Sequence, residues 1–295
     1  MNILSLDIGG TAIKSAHFQN DAIYSQEEFP SNAALGADAL FHTLCNYIQS
    51  KSGFSAIGVS TSGQVDYKTG KIVYGTQAIP GYTGMPLKDM LQNFAQCPVY
   101  IDNDVNCAAI GEYIYGAAKN TRDFVCLTFG TGIGGAVFIN GTLYHGSSGI
   151  AGEFGHLITH HNGKLCRCGK RGCYEAYAST TALCNEAYRL TGLTLNGREI
   201  FTKIKEPLIF SLINSWIDEI VTGIVSITHS LNPQLIILGG GVMEEPYLFP
   251  QVKKRFYHHI IESYKNTQIQ KATLGNMAGV YGAFYIAKTN YERRS

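Results

Sequence analysis

One histidine and three cysteines in the middle of the chain have the types and spacing of a metal site. The candidate ligands are His156, Cys166, Cys168 and Cys173. Three thiolates and one imidazole form the closed tetrahedral set of a structural zinc ion. Glycines beside the cysteines permit the tight turns that wrapping a small ion requires. His160 and His161 are rival ligands, and spacing alone does not choose among the histidines.

A carboxylate stands at each end of this segment, at Glu153 and Glu175. Zinc does not need them, and two solvated loop acids are the simpler interpretation. A metal-bound segment would, however, hold both carboxylates in place. Fixed acids suit paired hydrogen bonds to the neighbouring hydroxyl groups of a polyol.

The first glycine-rich turn reads Asp7-Ile-Gly-Gly-Thr-Ala-Ile-Lys14. Gly9 and Gly10 would let backbone N–H groups approach a phosphate, and Thr11 adds a hydroxyl donor. Asp7 ends a predicted strand, where a carboxylate could hold Mg²⁺ through water. Lys14 is a phosphate contact or a solvated strand residue. The alternative is a plain hairpin turn with glycine at positive φ.

The second turn, Thr128–Gly135, contains Thr131, Gly132 and Gly134 and matches the G-x-G-x-x-G pattern. In a dinucleotide-binding fold that pattern opens a helix. Here the following residues, 136–139, are predicted to form a strand. A second phosphate-binding hairpin is therefore favoured.

A third glycine cluster, Gly239, Gly240 and Gly241, follows a predicted strand. A turn from a strand needs only one or two glycines. Three of them leave a surface without side chains, on which a nucleobase or ribose can lie.

Two acids and an amide, Asp102-Asn103-Asp104, follow another predicted strand and open a helix. Such residues commonly cap a helix. A carboxylate at this position also suits abstraction of a proton from a sugar hydroxyl, which is a poor nucleophile until it is deprotonated. The motif alone supports both interpretations equally.

These motifs lie on alternating strands and helices. The predicted strands are 3–7, 13–18, 22–29, 56–60, 71–74, 99–101, 124–128, 136–139 and 235–238, and the main helices are 37–48, 86–94, 102–115, 207–231 and 278–288. The strand–turn–strand pattern at 4–15 recurs at 127–139. Two similar α/β halves with a cleft between them are therefore predicted.

The amino-acid composition argues against several classes of protein. Apolar residues make up 45% of the 295 residues and charged residues 15%, which excludes a disordered chain. The net charge is +1 without a basic stripe, so nucleic acid is not an expected partner. No signal peptide is predicted. No uninterrupted membrane span is predicted either, since Asp218 and Glu219 break the longest apolar stretch. We expect a cytoplasmic protein with reduced thiols, and we place His145 among surface or loop residues.

Together the motifs resemble the ROK family (repressors, open reading frames, sugar kinases), over nearly the whole chain. Asp7-Ile-Gly-Gly-Thr and Leu127–Gly135 are similar to its two phosphate motifs, and Ile237–Gly241 to its adenosine motif. Gly152-Glu-Phe-Gly-His156 and Cys166-x-Cys-Gly-x-x-Gly-Cys173-x-Glu175 resemble its sugar and zinc signatures. The resemblance implies a two-lobed actin/hexokinase-like (ribonuclease H-like) ATPase fold. We expect an N-terminal lobe of residues 1–115, completed by the helix at about 278–295, and a C-terminal lobe of residues 116–277.

The resemblance also implies roles for single residues. Asp104 would be the catalytic base, and Asn103, Asp104, Glu153, His156 and Glu175 would bind sugar hydroxyls. His156 would in addition be the histidine ligand of a structural Zn²⁺ without an open position. ATP, Mg²⁺ and a small-molecule sugar are the implied ligands, and a homodimer is expected by analogy. Loss of the metal should then raise the KM for sugar much more than that for ATP.

The reaction implied is phosphorylation of the 6-hydroxyl of a hexose, with lobe closure excluding water. Departures from the family pattern leave the sugar open among glucose, N-acetylmannosamine, another N-acetylhexosamine, fructose and a β-glucoside, with glucose, N-acetylmannosamine or a β-glucoside favoured. Tyr82, in the segment Gln77–Tyr82, stands where many glucokinase-like members have Trp, and Ser60-Thr-Ser-Gly63 replaces Gly-x-Pro-Gly. The alternatives are a sugar-sensing regulator without kinase activity and a zinc hydrolase, which would need an open metal position.

Overall fold

The computed structural model describes residues 1–75 and 78–293, so Gln77 lies outside the described residues. The chain forms two compact units. Unit 1 comprises Met1–Lys119, His145–Ala151 and Asn276–Ser295, and unit 2 comprises Asn120–Tyr144 and Gly152–Gly275. Residues 145–151, which the predicted division assigned to the C-terminal lobe, group with unit 1.

Strands and helices alternate along both units. The strands are β1 (Asn2–Ile8), β2 (Ala12–Gln19), β3 (Ala22–Pro30), β4 (Ala56–Thr61), β5 (Gln64–Asp66), β6 (Lys71–Tyr74), β7 (Val99–Asn103), β8 (Phe124–Phe129), β9 (Ile133–Ile139), β10 (Thr142–Leu143), β11 (Leu235–Gly239) and β12 (Gln268–Lys271). The α-helices are α1 (Ala37–Gln49), α2 (Leu87–Ala95), α3 (Asp104–Tyr115), α4 (Glu175–Ala178), α5 (Thr180–Thr191), α6 (Gly197–Thr202), α7 (Pro207–Leu231), α8 (Leu248–His259) and α9 (Ala278–Glu292). Short 3₁₀ turns include Phe154–His156 and Gly241–Glu244.

The sheet of unit 1 has five strands in the order β3-β2-β1-β4-β7. Strands β1, β4 and β7 are parallel, and β1, β2 and β3 are joined antiparallel. Because parallel strands end at the same edge of a sheet, the residues that end them become neighbours. Asp7 pairs with Ser60, and Ser60 pairs with Asp102.

The sheet of unit 2 repeats this arrangement, with the order β10-β9-β8-β11-β12. Strands β8, β11 and β12 are parallel, and β9 is antiparallel to β8. In both sheets the hairpin strands flank the first strand on one side and the parallel strands flank it on the other. The repeat of two similar α/β halves, predicted from the recurring strand–turn–strand pattern, is confirmed.

The core of unit 1 follows from the alternation of side chains along β1. Leu4 and Leu6 join the buried cluster that also contains the apolar face of α1, whereas Ile3 joins the cluster formed with α9. Helix α9 packs very closely against α3, since a Cβ built on Gly282 would lie 1.8 Å from the carbonyl oxygen of Cys107 in α3. The absence of a side chain at Gly282 therefore permits this close packing.

Helix α7 forms the centre of the unit 2 core. Its regularly spaced apolar residues, among them Ile213, Ile217 and Ile220, are fully buried. Among the described residues it is the one helix long and apolar enough to cross a membrane by length and composition, and 50% of its most apolar window is buried. Packing in the core accounts for that apolar composition.

Two predicted boundaries differ from the structure in ways that concern function. The helix predicted from 102 begins at Asp104, because Asp102 and Asn103 still pair with β4 as part of β7. The strand predicted from 136 begins at Ile133, because the glycines before it continue the ladder with β8.

Candidate active site

Asp102 is a buried anchor of the turn between β7 and α3. Its Oδ1 accepts hydrogen bonds from the Asn103 N–H at 2.7 Å and from Asn106 Nδ2 at 2.8 Å. Its Oδ2 lies 2.8 Å from His145 Nε2. With both oxygens bonded to the protein, Asp102 holds the turn rather than a substrate.

Asn103 caps helix α3 with its side chain. The Oδ1 atom accepts hydrogen bonds from the N–H groups of Val105 at 2.9 Å and Asn106 at 3.2 Å. The Nδ2 atom donates to the carbonyl of Gly63 at 2.9 Å and to Asp104 Oδ1 at 2.8 Å. The capping interpretation of this motif is therefore correct, and the same contacts fix the orientation of Asp104.

Asp104 is a buried carboxyl group at the start of α3. Its pKa is raised to about 7, mainly by burial and less by the nearby charge of Asp7, while the hydrogen bonds from the Val105 N–H and Asn103 Nδ2 act in the opposite direction. Both of those bonds reach Oδ1. Oδ2 accepts neither of these two bonds, so this oxygen is left to meet a substrate proton.

Asp7 lies beside Ser60 at the carboxyl end of β1. Ser60 Oγ donates a hydrogen bond to Asp7 Oδ1 at 2.6 Å. Burial raises the Asp7 pKa, and the Ser60 bond and the charge of Lys14, which lies opposite on β2, lower it. A buried carboxylate near a second one is a position where a bound divalent cation would favour the ionised forms.

The first glycine turn does not match a hairpin that needs glycine at positive φ. Neither Gly9 nor Gly10 has a positive φ. A Cβ on Gly9 would lie 2.9 Å from the Ala12 carbonyl oxygen, so the tight turn explains this residue. A Cβ on Gly10 would meet nothing nearer than the Cβ of Ala78 at 4.0 Å. Local structure therefore leaves Gly10 unexplained, as expected of a position that a ligand approaches.

The second glycine turn joins β8 to β9 as an antiparallel hairpin. The Gly130 N–H donates to the carbonyl of Gly132 at 3.0 Å, and Gly134 pairs with Thr128 in the ladder. Because a strand follows the turn, the dinucleotide-binding interpretation is excluded and the predicted hairpin is confirmed. Thr131 lies exposed at its tip.

The glycines after β11 have different structural roles. Gly240 has a φ of 100°, and a Cβ there would lie 2.1 Å from the carbonyl oxygen of Phe129. A Cβ on Gly241 would meet no atom within 4 Å. The fold therefore requires glycine at 240, whereas open space in front of Gly241 suits the predicted adenosine surface.

The four predicted metal ligands come together in unit 2. The ligand atoms of His156, Cys166, Cys168 and Cys173 all lie within 4.8 Å of one another. Cys168 Sγ is 3.6 Å from Cys173 Sγ, and two thiolates at about 2.3 Å from a tetrahedral zinc ion would be about 3.8 Å apart. The donor set and its spacing therefore fit zinc.

His160 lies outside the metal ligand set. Its ring stacks on Tyr177 with the ring centroids 3.9 Å apart, and its Nδ1 is 3.1 Å from Thr159 Oγ1. The side chain of His161 is 3.1 Å from that of Asn162. The choice of His156, which followed from the family resemblance, agrees with this geometry.

His156 also connects the two carboxylates at the ends of the segment. Its Nδ1 lies on the metal side, 3.9 Å from Cys166 Sγ, and is 4.0 Å from Glu175 Oε1. Its Nε2 is 3.8 Å from Glu153 Oε2. The side chain of Glu153 is 43% exposed and that of Glu175 14%. The structure thus brings the predicted sugar-binding residues of unit 2 together.

Sequence reasoning missed several residues of the site. His145, placed among surface or loop residues, does lie in a loop, but it is bonded to Asp102 and stacked on Tyr67 with centroids 3.8 Å apart. Tyr82 is buried, and its hydroxyl lies 2.6 Å from Thr61 Oγ1. The departures from the family pattern at 60–63 and at 82 gave a signal for Ser60, Thr61 and Tyr82. Nothing in the local sequence indicated His145.

Known proteins resemble the chain over its whole length. The ROK family profile matches residues 3–290. A glucokinase of Halalkalibacterium halodurans is 33% identical, covering 97% of this chain and 94% of the relative. A β-glucoside kinase of Listeria innocua is 33% identical, covering 97% of each chain. The crystal structure of a ROK family glucokinase from Streptomyces griseus with glucose and AMPPNP superposes with a TM-score of 0.86 at 28% identity, covering 98% of this chain and 100% of that one.

Proposed function

Because the chain belongs to the ROK family, we propose that it is an ATP-dependent kinase that phosphorylates the 6-hydroxyl group of a hexose. The observation that carries this proposal is the buried Asp104 carboxyl at the start of α3, with a pKa of about 7 and one oxygen left for substrate. A base whose pKa lies near the working pH is well suited to accept a proton from a hydroxyl group.

In the proposed reaction Asp104 Oδ2 accepts the proton of the 6-hydroxyl as the sugar oxygen attacks the γ-phosphorus of ATP. The bond from that phosphorus to the bridging oxygen breaks, and ADP leaves. Asn103 holds the other oxygen of Asp104 through Nδ2 at 2.8 Å, so the base keeps one orientation. Asp102 and His145 hold the turn that carries both residues.

The sugar hydroxyls are proposed to bind Asp104, Glu153, His156 and Glu175. Asn103, predicted to bind sugar as well, already uses both N–H donors and its carbonyl oxygen within the turn, so we propose that it positions Asp104 instead. His156 would bind zinc through Nδ1 and offer Nε2 to the sugar. The zinc ion would be structural, since one imidazole and three thiolates complete a tetrahedron and leave no position for a water molecule. This argues against the zinc hydrolase.

ATP is proposed to lie on the three glycine clusters. Thr11 with Gly9, Gly10 and Lys14, and Thr131 with Gly132 and Gly134, would contact the phosphates, and Gly239, Gly240 and Gly241 would contact the adenosine. Mg²⁺ near Asp7 would neutralise charge that develops on the transferred phosphoryl group. Open space at Gly10 and Gly241 supports backbone approach by a ligand at both clusters.

The substrate is proposed to be glucose, N-acetylmannosamine or a β-glucoside. The relatives support glucose and β-glucosides, since one is named a glucokinase and another a β-glucoside kinase. Coupled ADP-release assays with glucose, N-acetylmannosamine, N-acetylglucosamine, fructose and cellobiose would identify the sugar. No ADP release with any sugar, despite measurable sugar binding, would instead favour a sugar-sensing regulator.

The catalytic proposal is tested by Asp104→Asn. The variant should bind sugar with an affinity close to that of the unaltered protein and lose nearly all turnover, because the amide cannot accept the proton. Asp89→Asn on the exposed face of α2 is a matched control that should keep full activity. Near-full activity of Asp104→Asn would refute the assignment of the base.

A further inference from the structure

Arg167 lies between two of the metal ligands, Cys166 and Cys168, and its guanidinium group reaches the second glycine turn. The Nη2 atom donates a hydrogen bond to the carbonyl oxygen of Thr131 at 2.7 Å. A metal-bound segment would hold the Arg167 backbone rigidly. The metal segment and the turn are therefore joined by this side chain, within unit 2.

A small cavity with both polar and apolar lining residues adjoins the same contact. Its volume is about 130 Å³, and its lining includes Thr131, Arg167, Glu175, Thr181 and Asn185. A whole nucleotide needs a site of several hundred Å³. A cavity of this size suits part of one, such as a single phosphate group.

A phosphate bound at this turn would need a positive charge beside it, because the Glu175 carboxylate lies close. A Cβ on Gly132 would lie 2.6 Å from Glu175 Oε2 and 3.6 Å from Arg167 Nη2, so both charged groups border the turn. Without Arg167, the Glu175 carboxylate would repel a phosphate placed there. The bond to Thr131 uses one of the five N–H donors of the guanidinium group, which leaves others to meet an anion.

We propose that Arg167 is a further nucleotide-binding residue, which fixes the carbonyl of Thr131 and donates hydrogen bonds to a phosphate oxygen of ATP. This inference rests on the proposed kinase function. A planar, permanently charged fork anchored at one N–H is well suited to bind phosphate. The metal segment would thus support the sugar through His156 and Glu175 and the nucleotide through Arg167.

The test is calorimetric titration of the zinc-loaded protein with Mg²⁺-AMPPNP and, separately, with its sugar. Arg167→Gln should raise the Kd for AMPPNP about fivefold to tenfold, as expected for one lost charge-assisted contact. The Kd for sugar and the zinc content should stay unchanged. Arg167→Lys should restore part of the nucleotide affinity. Lys170→Gln, which removes a positive charge from the same exposed segment, is the matched control and should change neither Kd.

Equal nucleotide affinity of Arg167→Gln and the unaltered protein would overturn the inference and leave the kinase function standing. Loss of zinc with equal weakening of both ligands would also overturn it, because the role would then be structural. If the unaltered protein binds sugar but no nucleotide, both the inference and the proposed kinase function are wrong.

Discussion

The buried carboxyl of Asp104 should make the stability of the folded protein depend on pH. Its pKa is raised from 3.8 to about 7 in the folded chain. A carboxyl group with a raised pKa contributes stability that is full below its unfolded pKa and is lost as the pH rises through the folded value. Between pH 5 and pH 8 the unfolded group is already ionised while the folded group still resists ionisation. Linkage then predicts a loss of roughly 2–3 kcal/mol over this interval.

Asp104→Asn removes this titration and retains the local hydrogen bonds. The amide oxygen can accept from the Val105 N–H and from Asn103 Nδ2, as Oδ1 does now. The variant should therefore be more stable than the unaltered protein at pH 8, by a margin that shrinks by roughly 2–3 kcal/mol at pH 5. In a unit of this size that difference corresponds to a change of about 5–10 °C in melting temperature.

Differential scanning calorimetry of both proteins at pH 5 and pH 8 measures how the stability difference between them changes with pH. Asp89→Asn, which alters an exposed carboxyl group, should show the same offset at both pH values. If the advantage of Asp104→Asn is also the same at both, burial does not raise the pKa of this carboxyl. The physical argument for Asp104 as a base near neutral pH would then be lost.

Three further predictions follow from the site. In a pH–rate profile, kcat/KM should rise through about pH 7 as Asp104 ionises, and a limb near pH 4 would contradict the raised pKa. Gly241→Ala should keep the melting temperature and raise the KM for ATP severalfold, whereas Gly240→Ala should lower the melting temperature by several degrees because of its positive φ. Cys168→Ser should lower the zinc content measured by atomic absorption and raise the KM for sugar and, through Arg167, for ATP. An unchanged KM for ATP would contradict the second part.

From the sequence we expected loss of the metal to raise mainly the KM for sugar. The structure adds an increase in the KM for ATP. The contact between Arg167 and Thr131 is the reason for the change. Cys168 and Thr131 are far apart in the chain, so no local pattern could have related the metal segment to the glycine turn.

Much of the fold was predictable because its signals are local. Alternating apolar residues identify β1 and β2, the 3.6-residue rhythm identifies α7, and the recurring turns indicate the repeat of the two sheets. The boundary between β7 and α3 was misplaced for a non-local reason. Asp102 and Asn103 stay in the strand because they pair with Ser60 and Thr61 of β4.

The sequence by itself determined the three cysteine ligands, the glycine turns and the Asn103–Asp104 pair, because each is a short run whose residue types indicate its chemistry. The spacing left the histidine ligand open, and the structure places His156 with the cysteines. Only the tertiary structure decided which residues support them. Asp7 meets Ser60, Asp102 meets His145 and Thr131 meets Arg167 across 53, 43 and 36 residues of chain. The same holds for the pKa of Asp104, since burial and the charge of Asp7 arise from packing that brings distant residues together.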